Sequence, residues 1–341
     1  MKAFYHQDQS QHFPKFYMKN GKPIAAREVP ERGDIFRNVL SELGIEIEET
    51  QDHGFSFISK VHSPDYLTFL QTIYPKWKKL PDASEEIIPK SHPVRYSASY
   101  PSDVVGQVGW HLMDTSCPVG PGTWSGVYAS AQTAISAADS IAKGTTKTAY
   151  AVCRPPGHHA YPDGGAGFCF LNNSAIAAER LLETYPRVAI LDVDLHHGNG
   201  TQAVFWNRRD VLTVSIHADP ANCYPHYWGY AHERGEGSGY GFNLNYPVPE
   251  GTTDKDYLPV LEQALEQIQS YAPDAIILAL GLDASEKDPF AVLGITTEGF
   301  AEIGKRVDDL GLPTLIVQEG GYISPVLGDN LGAVLKAFSE R

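Results

Sequence analysis

The chain has 341 residues, 42% hydrophobic and 20% charged with no compositional run, which excludes a disordered protein and leaves ample material for a core. Its 41 acidic against 27 basic residues give a formal charge of −14, which argues against a nucleic-acid partner, because phosphate binding needs clustered Lys and Arg. A solvated acidic surface accounts for this charge by itself, and a cationic substrate is compatible with it.

From the N-terminus, Met1 to Asp8 lacks the apolar stretch of a secretory signal. The longest apolar run, Ala275 to Leu280, is too short to cross a bilayer, so a cytoplasmic protein with no membrane partner is expected. Cys117, Cys153, Cys169 and Cys223 form no CxxC pair, so neither a disulfide framework nor a thiolate zinc site is expected. The first hundred residues are irregular. Residues 76–122, rich in Pro and polar residues, read as a loop insertion into a single domain spanning 1–341. Asp103, Trp110 and Asp114 within it, and Trp124 just beyond, favour a rim or a dimer contact over disorder.

Farther along, short β-branched apolar runs predict buried strands at 149–152, 188–193, 211–216, 275–280 and 314–317. Helical patterns at 126–142, 173–184, 254–270, 297–310 and 324–338 alternate with them. The expected fold is therefore α/β, a mostly parallel central sheet with helices on both faces. Polar motifs follow the strand ends: Arg154-Pro-Pro-Gly-His158-His159, Asp192-Val-Asp194-Leu-His196-His197, Asp283 and Gln318-Glu-Gly-Gly-Tyr322. Open α/β sheets bind ligands at those ends, so four distant segments point to one crevice.

Asp192, Asp194 and His196 alternate where a strand ends and so lie on one side of the chain. Any one of them alone would be an ordinary loop residue or helix cap. Together, Asp194, His196 and Asp283 make a three-ligand site of the kind that leaves a coordination position for water or substrate on Zn²⁺, while the paired carboxylates leave a harder cation open. Among His158 and His159, one ring suits a base and the other an electrostatic partner, with Asp192 and Asn199 as candidate backing groups. Tyr322, after two glycines, could present its phenol to a carbonyl rather than merely pack. Phe168, Phe170 and Tyr224 are aromatic candidates for a tunnel wall, with core packing the alternative for Phe170.

Arg154-Pro-Pro-Gly-His-His, Gly167-Phe-Cys-Phe-Leu-Asn-Asn, Asp192-Val-Asp-Leu-His-His-Gly-Asn-Gly-Thr and Glu319-Gly-Gly-Tyr together resemble the zinc-dependent histone deacetylase family and its arginase–deacetylase fold. The early segment, the insertion and the chain length look most like the bacterial acetylpolyamine amidohydrolase branch. The resemblance implies that Asp194, His196 and Asp283 hold Zn²⁺, with Fe²⁺ the alternative. His159 would be general base and acid, His158 its electrostatic partner and Tyr322 the oxyanion donor. Asp192 would back His158, and Asn199 would back His159, leaving it with a less raised pKa than an aspartate would. Gly167, Phe168 and Tyr224 would line the substrate tunnel. Structural K⁺ or Na⁺ would be held by Asp192, Asp194, His196, Ser215 and Ile216, and at a second position by Phe205, Arg208, Val211 and Phe242. The implied reaction is hydrolysis of an acetylated polyamine or diamine, by a homodimer whose insertion narrows the entrance and whose Asp103 or Asp114 attracts the distal ammonium. A protein acetyl-lysine deacetylase, a non-catalytic metal- or amine-binding protein and a ureohydrolase are the alternatives; the last would need more well-placed carboxylates.

Overall fold

The computed structural model describes residues 1–93 and 99–338. Its strands in chain order are β1 (Lys2–Tyr5), β2 (Phe16–Lys19), β3 (Lys22–Ala25), β4 (Ile47–Glu49), β5 (Thr148–Ala151), β6 (Val188–Asp192), β7 (Val211–Ala218), β8 (Asn243–Val248), β9 (Ala275–Leu280) and β10 (Thr314–Gln318). Eight form one sheet in the order β4-β1-β5-β10-β9-β6-β7-β8, and every pairing in it is parallel. Strands β2 and β3 make a separate antiparallel hairpin.

A parallel sheet covered on both faces needs strands that are apolar throughout, and β9, Ala-Ile-Ile-Leu-Ala-Leu, is buried at all six positions. Its alternate residues divide between two cores. Ala275, Ile277 and Ala279 join the cluster beneath the helices Pro64–Trp77, Thr123–Ala142 and Asn173–Leu181. Ile276, Leu278 and Leu280 join the cluster beneath Glu31–Glu42, Asp254–Tyr271, Thr297–Asp308 and Leu327–Ala337. All chemistry-bearing motifs therefore leave the sheet at the carboxyl ends of β5, β6, β7, β9 and β10.

The five predicted strands and five predicted helices are all present, with ends shifted by a few residues. The insertion differs from the expected extended loop. It holds the helix Val104–His111, and a bridge between Ile87 and Val119 closes it at its base. Two glycines in Val-Val-Gly-Gln-Val-Gly-Trp-His weaken the helical signal, but Asp103 caps the helix, accepting from Gly106 N–H at 2.9 Å. The insertion's far end docks on the loop after β5: Met113 N–H donates to the Gly165 carbonyl and Gly165 N–H to the His111 carbonyl, both at 2.8 Å.

Candidate active site

Past the end of β6 the chain carries Asp194 and His196 toward Asp283, which follows β9. His196 Nδ1 lies 3.3 Å from Asp194 Oδ1 and 3.1 Å from Asp283 Oδ2, and one ligand atom from each residue falls within 4.8 Å of the others. Backbone amides aim the carboxylates: Gly320 N–H donates to Asp194 Oδ2 at 2.8 Å and Leu195 N–H to Asp283 Oδ1 at 3.0 Å. Gly320 has to be glycine, because a Cβ there would sit 2.5 Å from both Asp194 Oδ2 and Asp283 Oδ2.

Both carboxylates are buried, and among the described residues no Lys or Arg pairs with either. Burial pushes the Asp283 carboxyl up, and Asp194 beside it pushes the same way. Burial also opposes charge on His196, yet its hydrogen bonds to Asp194 and Asp283 hold the ring protonated well above its ordinary range. A site that recruits a proton between two buried carboxylates wants a cation, and a metal would displace that proton, since imidazole binds metal only when neutral. The donor set of two oxygens and one nitrogen fits Zn²⁺.

A second grouping, His158, Cys169 and Glu319, is also compact. Its carboxylate is already engaged: Glu319 accepts from Gly157 N–H at 2.6 Å, His158 N–H at 3.0 Å and Ser174 Oγ at 2.8 Å. Glu319 thereby fixes the backbone that presents the two histidines.

The His158 and His159 rings lie 4.0 Å apart and are buried, yet their backings separate them. His158 Nδ1 is 2.9 Å from Asp192 Oδ2 and donates to it. Burial opposes a charge on this ring, but Asp194 and Asp192 outweigh it and push its pKa up to about 10. His159 Nδ1 donates to the neutral Asn199 Oδ1 at 2.6 Å. Burial, with the positive charges of His158 and His196, holds this ring well below its ordinary pKa. Side by side stand a charged and a neutral imidazole, the neutral one keeping its Nε2 lone pair. Asn199 is itself held: its Nδ2 donates to the Tyr161 hydroxyl at 2.8 Å, which also accepts from Trp228 Nε1 at 2.7 Å.

Tyr322 is 3% exposed, its ring 5.8 Å from Phe168 and 4.9 Å from Phe290. Its loop is tied from far away. Arg32 donates to the carbonyls of Glu319 at 2.6 Å and Gly321 at 2.5 Å, with its guanidinium 4.9 Å from the Tyr322 ring, and Asp288 accepts from Tyr322 N–H at 2.8 Å. A cavity of about 460 Å³ opens onto His159, His196 and Tyr322 between walls that include Phe168, Tyr224 and Phe290.

Other predicted residues fall as follows. Gly167 and Asp114 line this cavity, whereas Phe170 is fully buried in the core. Asp103 is occupied as a helix cap and does not line the cavity. Ser215 pairs with Asp192 across β6 and β7, and Ile216 follows it, although Ser215 Oγ is bonded to His217 Nδ1 at 2.8 Å. At the other end of β7 the Phe205 carbonyl accepts from Arg208 N–H and the Phe242 carbonyl from Thr213 N–H, while Val211 pairs with Val188. All four cysteines are free and buried. Sequence reasoning missed Glu28, Arg32, Tyr161 and Asp288. Arg32 acts across more than 280 residues and leaves no local signal, whereas Asp288 stands five residues after Asp283 and could have been weighed with it.

A profile of the histone deacetylase domain matches residues 26–338. The chain belongs to the histone deacetylase family, whose members are zinc-dependent. It is 44% identical over 322 residues to the acetylpolyamine amidohydrolase of Burkholderia pseudomallei, covering 94% of each chain. It is 39% identical to acetylpolyamine amidohydrolase 1 of Pseudomonas aeruginosa over 99% of both. The crystal structure of acetylpolyamine aminohydrolase from Burkholderia pseudomallei superposes with a TM-score of 0.97 at 42% identity, covering 100% of this chain and 99% of that one.

Proposed function

We propose that the chain is one deacetylase domain hydrolysing the acetamide of small acetylated polyamines or diamines to acetate and a free amine. The observation that carries this reading is the convergence of a three-ligand metal site, a neutral and a charged imidazole and a phenol at the floor of an aromatic-walled cavity. The named relatives, acetylpolyamine amidohydrolases over nearly their full lengths, support the substrate class. So does the charge of −14, which favours approach of a cationic amine.

Asp194, His196 and Asp283 would hold Zn²⁺, or Fe²⁺, which supplies a Lewis acid for the carbonyl and lowers the pKa of water. His159 is the general base: Asn199 keeps its proton on Nδ1, so Nε2 accepts the proton of the attacking water. His158, held charged by Asp192 and Asp194, stabilises negative charge developing beside it. Tyr322 donates its phenolic hydrogen to the oxygen of the tetrahedral intermediate. The proton collected by His159 then passes to the departing nitrogen, so that the amine leaves neutral. Phe168 and Tyr224 flank the linear amine, with Gly167 giving it room to reach the floor. Monovalent cations at the β7 positions, a homodimer whose insertion narrows the entrance and a cytoplasmic location belong to the same proposal.

Acetate release tests it. The zinc-loaded protein should turn over acetylputrescine, acetylcadaverine and acetylspermidine faster than an acetyl-lysine peptide, losing activity with a chelator and regaining it with Zn²⁺. Preference for the peptide would replace the polyamine assignment with protein deacetylation. Stoichiometric zinc without hydrolysis of any acetamide would leave a binding protein.

A further inference from the structure

Asp114 is half-buried at the rim of the active-site cavity, where an acidic side chain invites the reading that it attracts the substrate's ammonium. Its hydrogen bonds point elsewhere. Oδ1 accepts from Ser116 N–H at 2.8 Å and Ser116 Oγ at 2.7 Å, while Oδ2 accepts from Gly167 N–H at 3.0 Å and the Tyr224 hydroxyl at 2.7 Å. A carboxylate offers about four acceptor positions. All four are taken by the protein itself.

Two of those partners lie on different loops that line the cavity. Tyr224, on the loop after β7, meets His159 edge to face at 4.9 Å and His196 at 6.0 Å. Gly167, on the loop after β5, opens a turn in which both it and Phe168 have positive φ, at 52° and 69°. A bulky residue holds that backbone only when its surroundings impose it. The turn aims the Phe168 ring between Tyr17 at 5.1 Å and Tyr322 at 5.8 Å. One carboxylate oxygen from the insertion thus ties together two loops 53 and 110 residues away in sequence.

We propose that Asp114 is a positioning residue that sets the width of the channel, clamping Tyr224 to the Gly167–Phe168 turn rather than reading substrate charge. The inference rests on the proposed acetamide hydrolysis and specifies how linear amines are selected over branched ones. Loss of the clamp frees the Tyr224 ring to swing and the turn to relax, and the channel then admits a branch beside the nitrogen.

The test compares kcat/KM for acetylcadaverine, neutral N-hexylacetamide and its branched isomer N-(1-methylpentyl)acetamide in the wild type, Asp114→Ala, Tyr224→Phe and the double variant. Tyr224→Phe removes one hydroxyl and leaves the ring to pack, so it keeps the comparison informative if Asp114→Ala folds poorly. The branched-to-linear ratio should rise about tenfold in each single variant and no further in the double, a gain that mere loss of stability cannot produce. Acetylcadaverine and N-hexylacetamide should be affected alike. The proposal is overturned if the ratio stays put in Tyr224→Phe, or if Asp114→Ala loses activity on acetylcadaverine alone. A wild type that hydrolyses none of the three removes the enzymatic reading and the clamp with it, whereas an active wild type with unchanged ratios removes only the clamp.

Discussion

At the residue scale, two adjacent histidines receive opposite protonation states from what stands behind them. Asp192 and Asp194 keep His158 charged, and the neutral Asn199 leaves His159 free to accept a proton. His159→Ala should lower kcat by about 10²–10⁴-fold with zinc content unchanged, measured by acetate release and metal analysis. Tyr322→Phe should cost about 10²–10³-fold in kcat with little change in KM, because its hydroxyl is used when charge builds on the oxygen. Asn199→Asp tests the backing group. A carboxylate behind His159 favours imidazolium, so its pKa rises and the base form exists only at higher pH. The acidic limb of the kcat/KM profile should move upward in pH, and an unmoved limb would show that His159 is not the titrating base.

The elements matter through how loops are tied to distant helices. Helix Glu31–Glu42 contributes Arg32, which fixes the Tyr322 loop, while Arg154 at the head of the histidine loop donates to the carbonyls of Gln9 and His12. Glu28 joins the two cations: it accepts from Arg32 Nη1 at 3.1 Å and from Arg154 Nη2 at 3.0 Å, all three side chains being buried. Removing the shared carboxylate leaves two buried cations short of their counter-charge. Glu28→Ala should therefore destabilise the fold by about 3–5 kcal/mol in urea titrations. A loss below about 1 kcal/mol would mean that water reaches the arginines. The same tie explains why a helix bearing no predicted site residue still matters to the site.

For the whole molecule, pH acts through groups that burial holds neutral. His62 accepts from Asn172 N–H at 2.9 Å, and its other nitrogen, 3.0 Å from the Tyr161 carbonyl, donates to it. Burial lowers its pKa to about 4, partly offset by the backbone bonds. An unfolded histidine titrates near ~6.5, so as pH falls from there toward 4 the unfolded chain takes up a proton that the folded one refuses. The stability this group contributes is complete above about pH 6.5 and falls by about 3 kcal/mol as pH drops through 4. Replacing His62 by Gln should flatten that part of the stability curve, and an unchanged slope would assign the acid sensitivity to other residues. The alternation of apolar runs with helical patterns determined the α/β architecture from the sequence alone, because burial of both sheet faces writes itself into local periodicity. Motif spacing likewise marked Asp194, His196, Asp283, the two histidines and Tyr322, since each lies in the segment that leaves a strand at its carboxyl end. Strands β1 to β4 and β8 went unread: the first four run only three or four residues in the irregular early segment and none is buried throughout, whereas β8 is interrupted by asparagines and a proline. Only the tertiary structure decided that Asp114 binds Tyr224 and Gly167, that Glu28 joins two arginines and that Arg32 reaches the Tyr322 loop. Apart from Glu28 and Arg32, which stand four residues apart, those contacts join positions that chain folding alone brings within hydrogen-bond range, and no local pattern encodes a distance between remote side chains.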